Sequence, residues 1–551
     1  MKRTSLRSIS WRLIPSQRGG AALLLAGLLL AGVPAQGAQI RVGTNLQPPP
    51  PAEAPALDIR DNAIQLPIDR AIEIALQRNL GIVIQRYTRV QQRLSIIEAL
   101  GLYDLNAVID AMADNRNQAV ANQTQSPQSQ SQVLNFNFQQ RTPQGGVVSV
   151  GADANRTKSS GSLQKIPSYY SSGLNFSFTQ PLLRNYGRYA NERSIIVAQI
   201  NSQLSRQDFA LQVTTITQQV TNAYWGLVNA REQLVVAQQS LQLARDLHER
   251  NKIQVQVGTL APLELTQSEA AIATREEGII QATSAVGDAE DTLRQLLNLP
   301  RGPLWQTAIV PTSDPKTSEK PTVNVDEALR TALAQRPELT SQQLQLEQAK
   351  RDAEYFRGQL KPALDLNVAY GYSGLDTAFG EAFNQIAGLN FRSWSAQLTL
   401  TYPIQNRTAR AQSATANVAV DRFQALYDQE RLVIETEVRR AARAVDTAAK
   451  SIDAAMKARE FQEKNLEAEK KRYENGMSTS FQITQIQDQL TQSRSGEVTA
   501  IVNYRTALAE YYRATGKLLD QQGVVIDDPL EGDAISKRFS FSKAPLPGER
   551  R

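Results

Sequence analysis

The chain has 551 residues, enough for two or three average domains. It has no cysteine, which excludes disulfides, thiolate metal sites, thiol catalysis and a cysteine-borne lipid anchor. Of its formal charge of +6, five units come from Lys2, Arg3, Arg7, Arg12 and Arg18, so the remainder is near +1 and carries no signature of a nucleic-acid binder. Those cations, the apolar run Ala21–Ala31 and the small residues Val33-Pro34-Ala35 predict a secretory signal peptide over 1–35, too short for a spanning helix, with a mature start at Gln36. A Pro-rich linker over 36–65 follows, stiffest at Gln47–Pro55.

From residue 66 the chain is a duplication. Asp69–Asn79 returns as Asp326–Arg336, Phe178-Thr179-Gln180-Pro181-Leu182 as Leu400-Thr401-Tyr402-Pro403-Ile404, and Gly258 as Gly476. The period is far too long for a solenoid and describes a doubled half that packs against its twin. The first repeat covers 66–299 and the second 325–519, with a Pro-rich inter-repeat linker over 300–324 and a tail over 520–551. Each repeat reads as short helix, alternating strands, very long helix, tip loop and medium helix.

The strands come first in each repeat. Leu174–Pro181, Leu364–Tyr372 and Ala396–Pro403 alternate apolar with Asn, Ser, Thr or Gln, and Leu105–Ala111 does so more weakly. Apolar-out, polar-in alternation with aromatics near strand ends suits a transmembrane barrel, and it puts Phe176, Phe178, Leu398 and Leu400 on the lipid-facing side. Four strands cannot close, and an open edge in lipid is not tolerated, so several chains must share one barrel. The first repeat also holds a hairpin over 133–151, Val133–Phe138 and Val147–Gly151 around a turn at Pro143–Gly146. The sequence leaves open whether it widens the barrel or forms an extracellular loop.

The helices carry a heptad seam. Ile216, Val220, Ala223, Leu227, Ala230, Leu234, Ala237, Leu241 and Ala244 step by four and three, and Ile434, Val438, Ala441, Val445, Ala448, Ile452 and Ala455 repeat the frame. No proline interrupts Arg188–Gln256 or Arg407–Asn475, each about 69 residues or roughly 100 Å of helix. Medium helices are expected at about Pro262–Leu299 and Ser480–Lys517. Gly258 and Gly476 mark the turns between them, and Pro262 suits the first turn of a returning helix.

Nothing along the chain assembles a catalytic or metal site. His248, the only histidine, falls in frame with the first seam and reads as an interhelical polar residue. Gly516-Lys517 lacks the rest of a phosphate loop, and Glu276-Glu277 and Asp527-Asp528 read as solvated charges. Neither enzyme activity nor a cofactor is expected.

The ordered set of two helix–strand–strand–helix repeats, Thr179–Arg184 before the first long helix, and a glycine tip followed by Leu263-Glu264-Leu265-Thr266-Gln267 resembles the TolC-like outer membrane efflux proteins over roughly 66–520. The resemblance implies an α+β membrane protein: a homotrimer in which four strands per chain close a 12-strand β-barrel in outer membrane lipid, continuing into a long antiparallel α-helical barrel in the periplasm. It implies a passive duct of a tripartite efflux pump or type I secretion system, whose tip opens when a periplasmic adaptor and an inner-membrane pump dock. It places the tip or gate at Gly258, Pro262, Glu264, Tyr473, Gly476, Gln482 and Gln485. Tyr473 matches a tyrosine that locks the tip in the family. Gln482 and Gln485 stand where the family has rings of aspartate, and Ser478 where it has an arginine, implying a neutral amide constriction. The rival expectations are a periplasmic coiled-coil adaptor and a structural coiled-coil protein.

Overall fold

The computed structural model describes residues 58–60, 63–119, 127–160, 166–315 and 323–526. The expected signal peptide, most of the N-terminal linker and the tail from 527 lie outside the described residues.

The two repeats are built alike. In the first, β1 (Asp58–Arg60) and β2 (Ala63–Leu66) precede α1 (Ile68–Arg78) and α2 (Leu80–Leu100), and Asn79 caps α2 by accepting from the Gly81 amide. After strands β3 (Asn106–Asn117), β4 (Gln128–Arg141), β5 (Val147–Ser159) and β6 (Ser168–Pro181) come α3 (Arg193–Gln256) and α4 (Leu263–Leu297). Strand β7 (Ala308–Pro311) crosses the expected inter-repeat linker and pairs parallel to β2, which itself pairs antiparallel to β1. Part of each expected linker is thus strand. The second repeat runs α5 (Val325–Gln335), α6 (Pro337–Gly358), β8 (Ala363–Asp376), α7 (Phe379–Ala387), β9 (Phe391–Thr401), α8 (Arg407–Glu474) and α9 (Ser480–Thr515).

Helices α3 and α8, with 64 and 68 residues, rise about 96 and 102 Å at 1.5 Å per residue. A helix this long needs a continuous buried seam, and the heptad residues supply it: every member from Ile216 to Ala244 and from Ile434 to Ala455 is buried or half-buried. The first repeat's core gathers Leu66, Ile72, Ile74, Val220, Leu227, Leu293 and Ile309 around the fully buried Tyr224. The Tyr224 hydroxyl donates to the Leu66 carbonyl (3.0 Å) and accepts from the Ser313 amide (2.9 Å), tying the small sheet to α3. The second core packs Ala328, Ala332, Leu339, Val438, Ala441 and Ala514. Beside it Arg336 is buried and bridges Glu338 and Glu437. Burial pushes the Glu437 carboxyl up, but Arg336 and Arg513 outweigh it and hold the group below its ordinary value.

The large sheet departs from the expected four strands. It has six, in the order β3-β4-β5-β6-β8-β9, every neighbouring pair antiparallel. The extra hairpin is therefore two further strands of the same sheet, longer than its alternation suggested and inserted between β3 and β6. Where the second repeat joins its two strands, α7 is used instead. It lies against the sheet with Ala382 buried, and a side chain at Gly374 would begin 1.9 Å from the Ala382 carbonyl oxygen. Only glycine admits that approach.

Candidate functional site

Because side chains alternate along a strand and directly paired residues share a face, the register sorts the whole sheet into two surfaces. One register row joins Ala107, Phe138, Val150, Phe176, Tyr370 and Trp394. The next joins Ile109, Phe136, Ala152, Leu174 and Tyr372 before ending at Arg392. Phe178 with Val368, Leu398 with Leu366, and Leu400 with Leu364 continue the same face. The four residues singled out from the sequence thus share one apolar surface. Much of it is uncovered in the single chain, to 75% exposure at Trp394. Helix α7 sits on this face, with Phe379 edge-to-face on Tyr170 (6.2 Å between ring centroids).

The other face is mostly polar and small. Its rows read Asn106, Gln139, Ser149, Ser177, Ala369, Ser395 and Asp110, Asn135, Asp153, Gly173, Ser373, Phe391, with Val108, Met112, Val133 and Leu375 as further apolar members among the polar ones. The sheet also has two open edges, β3 and β9, in which backbone groups await partners. A surface that is apolar over six strands on one side and amide- and hydroxyl-lined on the other is suited to separating lipid from water.

The second candidate region lies at the tips of the two long hairpins. Gly258 and Gly476 have φ of +77° and +73°, with no atom within 4 Å of a would-be side chain, so glycine is required there by backbone angle alone. Pro262 immediately precedes α4, and Glu264 lies in its first turn, where a carboxylate suits the helix dipole.

The seam continues into this region with polar members. In α3 it runs through His248 to the fully buried Asn251, and in α8 through Arg459, Gln462 and Leu466 to Glu469 (6% exposed) and Tyr473. The single phenolic proton of Tyr473 has two acceptors, Asn251 Oδ1 and Gln254 Oε1, each 2.8 Å away. Asn251 Nδ2 donates to Ser480 Oγ (3.0 Å). Tyr473 and Ser480 belong to the second hairpin, Asn251 and Gln254 to the first, so these bonds lock the hairpins together. Burial, and then the Glu264 carboxylate, push the Tyr473 phenol above its ordinary pKa, against Arg250. His248 Nδ1 lies 2.8 Å from Ser268 Oγ, which donates to the Leu265 carbonyl. That is a bond between α3 and α4, consistent with an interhelical role.

Gln482 and Gln485 differ in their surroundings. Gln482 closes a capping box: its amide donates to Thr479 Oγ1 (3.3 Å), and its Oε1 accepts from the Thr479 amide (3.4 Å). Ser478 Oγ is also within 2.9 Å of that Oε1. The Gln482 side chain is thereby folded onto its own helix start. Gln485, almost one turn on, is exposed as Gln482 is, but lies beyond the capping box. The equivalent Leu263 and Phe481, at the starts of the two returning helices, are 65% and 66% exposed, an apolar pair the sequence reading passed over.

Among the described residues no helix is long and apolar enough to cross a membrane, and no group of three or more His, Asp or Glu side chains could hold a metal ion. The profile of the family described as outer membrane efflux protein matches residues 138–299 and 328–517. The pyoverdine export outer membrane protein OpmQ of Pseudomonas putida is 24% identical over 317 residues. That match covers 57% of this chain and 64% of OpmQ, so the chain spans a little under two thirds of this curated relative. The outer-membrane channel OprN superposes with a TM-score of 0.63 at 13% identity, covering 86% of this chain and 95% of that one. The Campylobacter jejuni CmeC outer membrane channel does so with a TM-score of 0.61 at 15% identity, over 83% and 86%. At such identities the likeness speaks for the fold alone.

Proposed function

This chain belongs to the outer membrane efflux protein family, TolC-like in fold, and from that premise we propose that it is the passive exit duct of a tripartite efflux pump or type I secretion system. Three copies close one barrel in outer membrane lipid by joining β9 of each chain to β3 of the next. β3 runs away from the helices and β9 runs back to them, so the new pairs are antiparallel like all the others. The apolar face, with Phe176, Phe178, Leu398 and Leu400, turns to lipid. The polar face lines the lumen. The long hairpins continue the duct through the periplasm.

The single observation that carries this reading is the two-faced sheet with two open edges. Neither a soluble rod nor a one-hairpin adaptor gives a reason for it. The tips form the gate. Tyr473 holds the second hairpin against Asn251 and Gln254 of the first, Gly258 and Gly476 set the turns, and Pro262 and Glu264 open the returning helix. Gln485, with Gln482 behind it, presents amides instead of carboxylates to the narrow end, a weaker electrostatic barrier for anions. Leu263 and Phe481 offer the periplasmic adaptor an apolar foothold, and the inner-membrane pump behind it selects the cargo. Fractionation tests this reading: the protein should be extracted by detergent from the outer membrane as a trimer that dissociates on heating. Recovery as a soluble periplasmic species would overturn it.

A further inference from the structure

The first-repeat hairpin changes the size of the duct. Building on the trimeric reading above, we infer that the barrel has eighteen strands, six from each of three chains, in place of the twelve that four strands per chain would give. Three observations make β4 and β5 part of the membrane wall.

The first is continuity. β4 is paired to β3 over its whole contact from Asn106↔Gln139 to Asn117↔Gln128, and β5 to β6 from Val147↔Thr179 to Lys158↔Ser168. The inserted strands leave no gap through which β3 and β6 could meet.

The second is the apolar band. On the inserted strands it comprises Leu134, Phe136 and Phe138, then Val148, Val150, Ala152 and Ala154, the same face as Phe176. The centre of the band shifts in one direction along the register, little over the first strands and more over the last. It lies at Ile109 on β3 and Phe136 on β4, in the row that reaches β8 at Tyr372, then at Phe176 on β6, and at Leu398 on β9, opposite Leu366. That is about six residues in five strand steps. At about 3.4 Å per residue and 4.8 Å per step, the strands lean about 40° from the normal of a level band, within the tilt that membrane barrels adopt. The hairpin falls on this line. A loop folded outside the membrane has no reason to carry the band at the depth its neighbours dictate.

The third is the anchoring of its turn. The Gln144 carbonyl accepts from the Gly187 amide (3.0 Å) and from Gln180 Nε2 (3.1 Å), in the elbow where β6 gives way to α3. Gly145 has φ +92°, and a side chain on Gly146 would start 2.5 Å from Gln180 Oε1. Gln140 Nε2 donates to the Tyr103 carbonyl (3.2 Å). The turn is built into the helix–sheet junction.

At a tilt of about 40° and 4.8 Å between strands, twelve strands give a backbone diameter of about 24 Å and eighteen about 36 Å. Strand counts of that order leave an open aqueous channel. The added wall presents Asn135, Asn137, Ser149, Asp153 and Asn155 to the lumen. The outer-membrane section therefore admits bulky polar cargo freely, and size selection falls to the tips.

The test uses the purified, detergent-solubilised full-length protein. End-on electron-microscopy views of the unmodified trimer give the ring diameter. In the cysteine-free chain, the pairs Ala107→Cys with Phe138→Cys and Val150→Cys with Phe176→Cys report whether the hairpin is joined on both flanks, using a short bifunctional thiol reagent. A ring of about 36 Å with both pairs cross-linked within one chain is expected. A trimer with a ring of about 24 Å, or one in which neither pair cross-links, overturns the strand count and leaves the duct reading standing. A membrane species that is not a trimer overturns the duct reading and the count of eighteen with it. The ring is read on the unmodified protein, so the test survives even if a cysteine pair blocks folding.

Discussion

Replacing Phe176 with Arg should prevent stable insertion. Phe176 is centred on β6 between Val150 and Tyr370, with Leu174 and Phe178 flanking it on the same face. A lipid-facing Arg near the midplane costs about 2–4 kcal/mol, so three copies cost about 6–12 kcal/mol per trimer. That rivals the whole stability of an ordinary domain, about 5–15 kcal/mol. At 1.4 kcal/mol per tenfold, assembly should fall by roughly 10⁴-fold or more. Leu398→Arg, at the centre of the band on β9, should behave alike. The control is one residue away: Ser177 lies on the polar face in a row with Ser149 and Ala369, and a one-residue step changes face. Ser177→Arg should insert nearly as well as wild type. The assay is the heat-sensitive trimer band from outer membrane fractions on unheated gels. Normal trimer from Phe176→Arg together with failure of Ser177→Arg would show the face assignment to be inverted.

Four further outcomes are expected. Ala441→Phe, at a buried small position of the second seam in one cluster with Ala332 and Ala514, should lower trimer stability by about 1–3 kcal/mol, whereas exposed Lys450→Phe should stay within about 0.5 kcal/mol; equal melting temperatures would remove the seam from the account. Tyr473→Phe keeps the ring packed but deprives Asn251 and Gln254 of their donor, worth about 1 kcal/mol, and should raise the open fraction of reconstituted channels about fivefold; unchanged opening would deny the lock. Gln485→Asp should add cation selectivity, read as reversal potential in a salt gradient, and Gln482→Asp less because that side chain is held in its cap; strong selectivity already present in wild type would place the constriction elsewhere. Glu437 has a carboxyl pKa lowered from 4.5, so its contribution is complete above that value and lost as pH falls through the folded pKa; Glu430, raised by burial and by Glu338, acts in the opposite sense. Glu437→Gln should therefore lower the melting temperature at pH 7 and flatten its decline as pH falls below 4.5, and a variant as acid-sensitive there as wild type would contradict this.

The seam and the duplication were legible because they are written in large apolar residues at a fixed period. Where the seam turned polar the signal faded. Asn251 and Glu469 keep the same steps of four and three as His248 and Tyr473, but they look like surface residues until Tyr473 is seen bonded to Asn251. A buried polar residue in a heptad frame is the sign that could have found them. The Gln482 cap is also legible in the sequence, since Thr479 and Gln482 have capping-box spacing. The six-stranded sheet was harder. At the far ends of β4 and β5 both faces are polar, as in Ser129-Gln130-Ser131 and Arg156-Thr157-Lys158, and alternation vanishes there. Only backbone pairing shows that the strands continue.

The central claim is that one face of the six-stranded sheet meets lipid and the other water. With no native cysteine, single cysteines can be placed in turn at 170–180 on β6 and 392–401 on β9 in the membrane-inserted protein. Labelling by a membrane-impermeant thiol reagent, set against quenching by a lipid-soluble probe, reads the face of each. The account predicts period-two alternation, with Ser177, Thr179, Ser395 and Gln397 labelled from water and Phe176, Phe178, Leu398 and Leu400 quenched from lipid. Uniform labelling from water at both sets would contradict it.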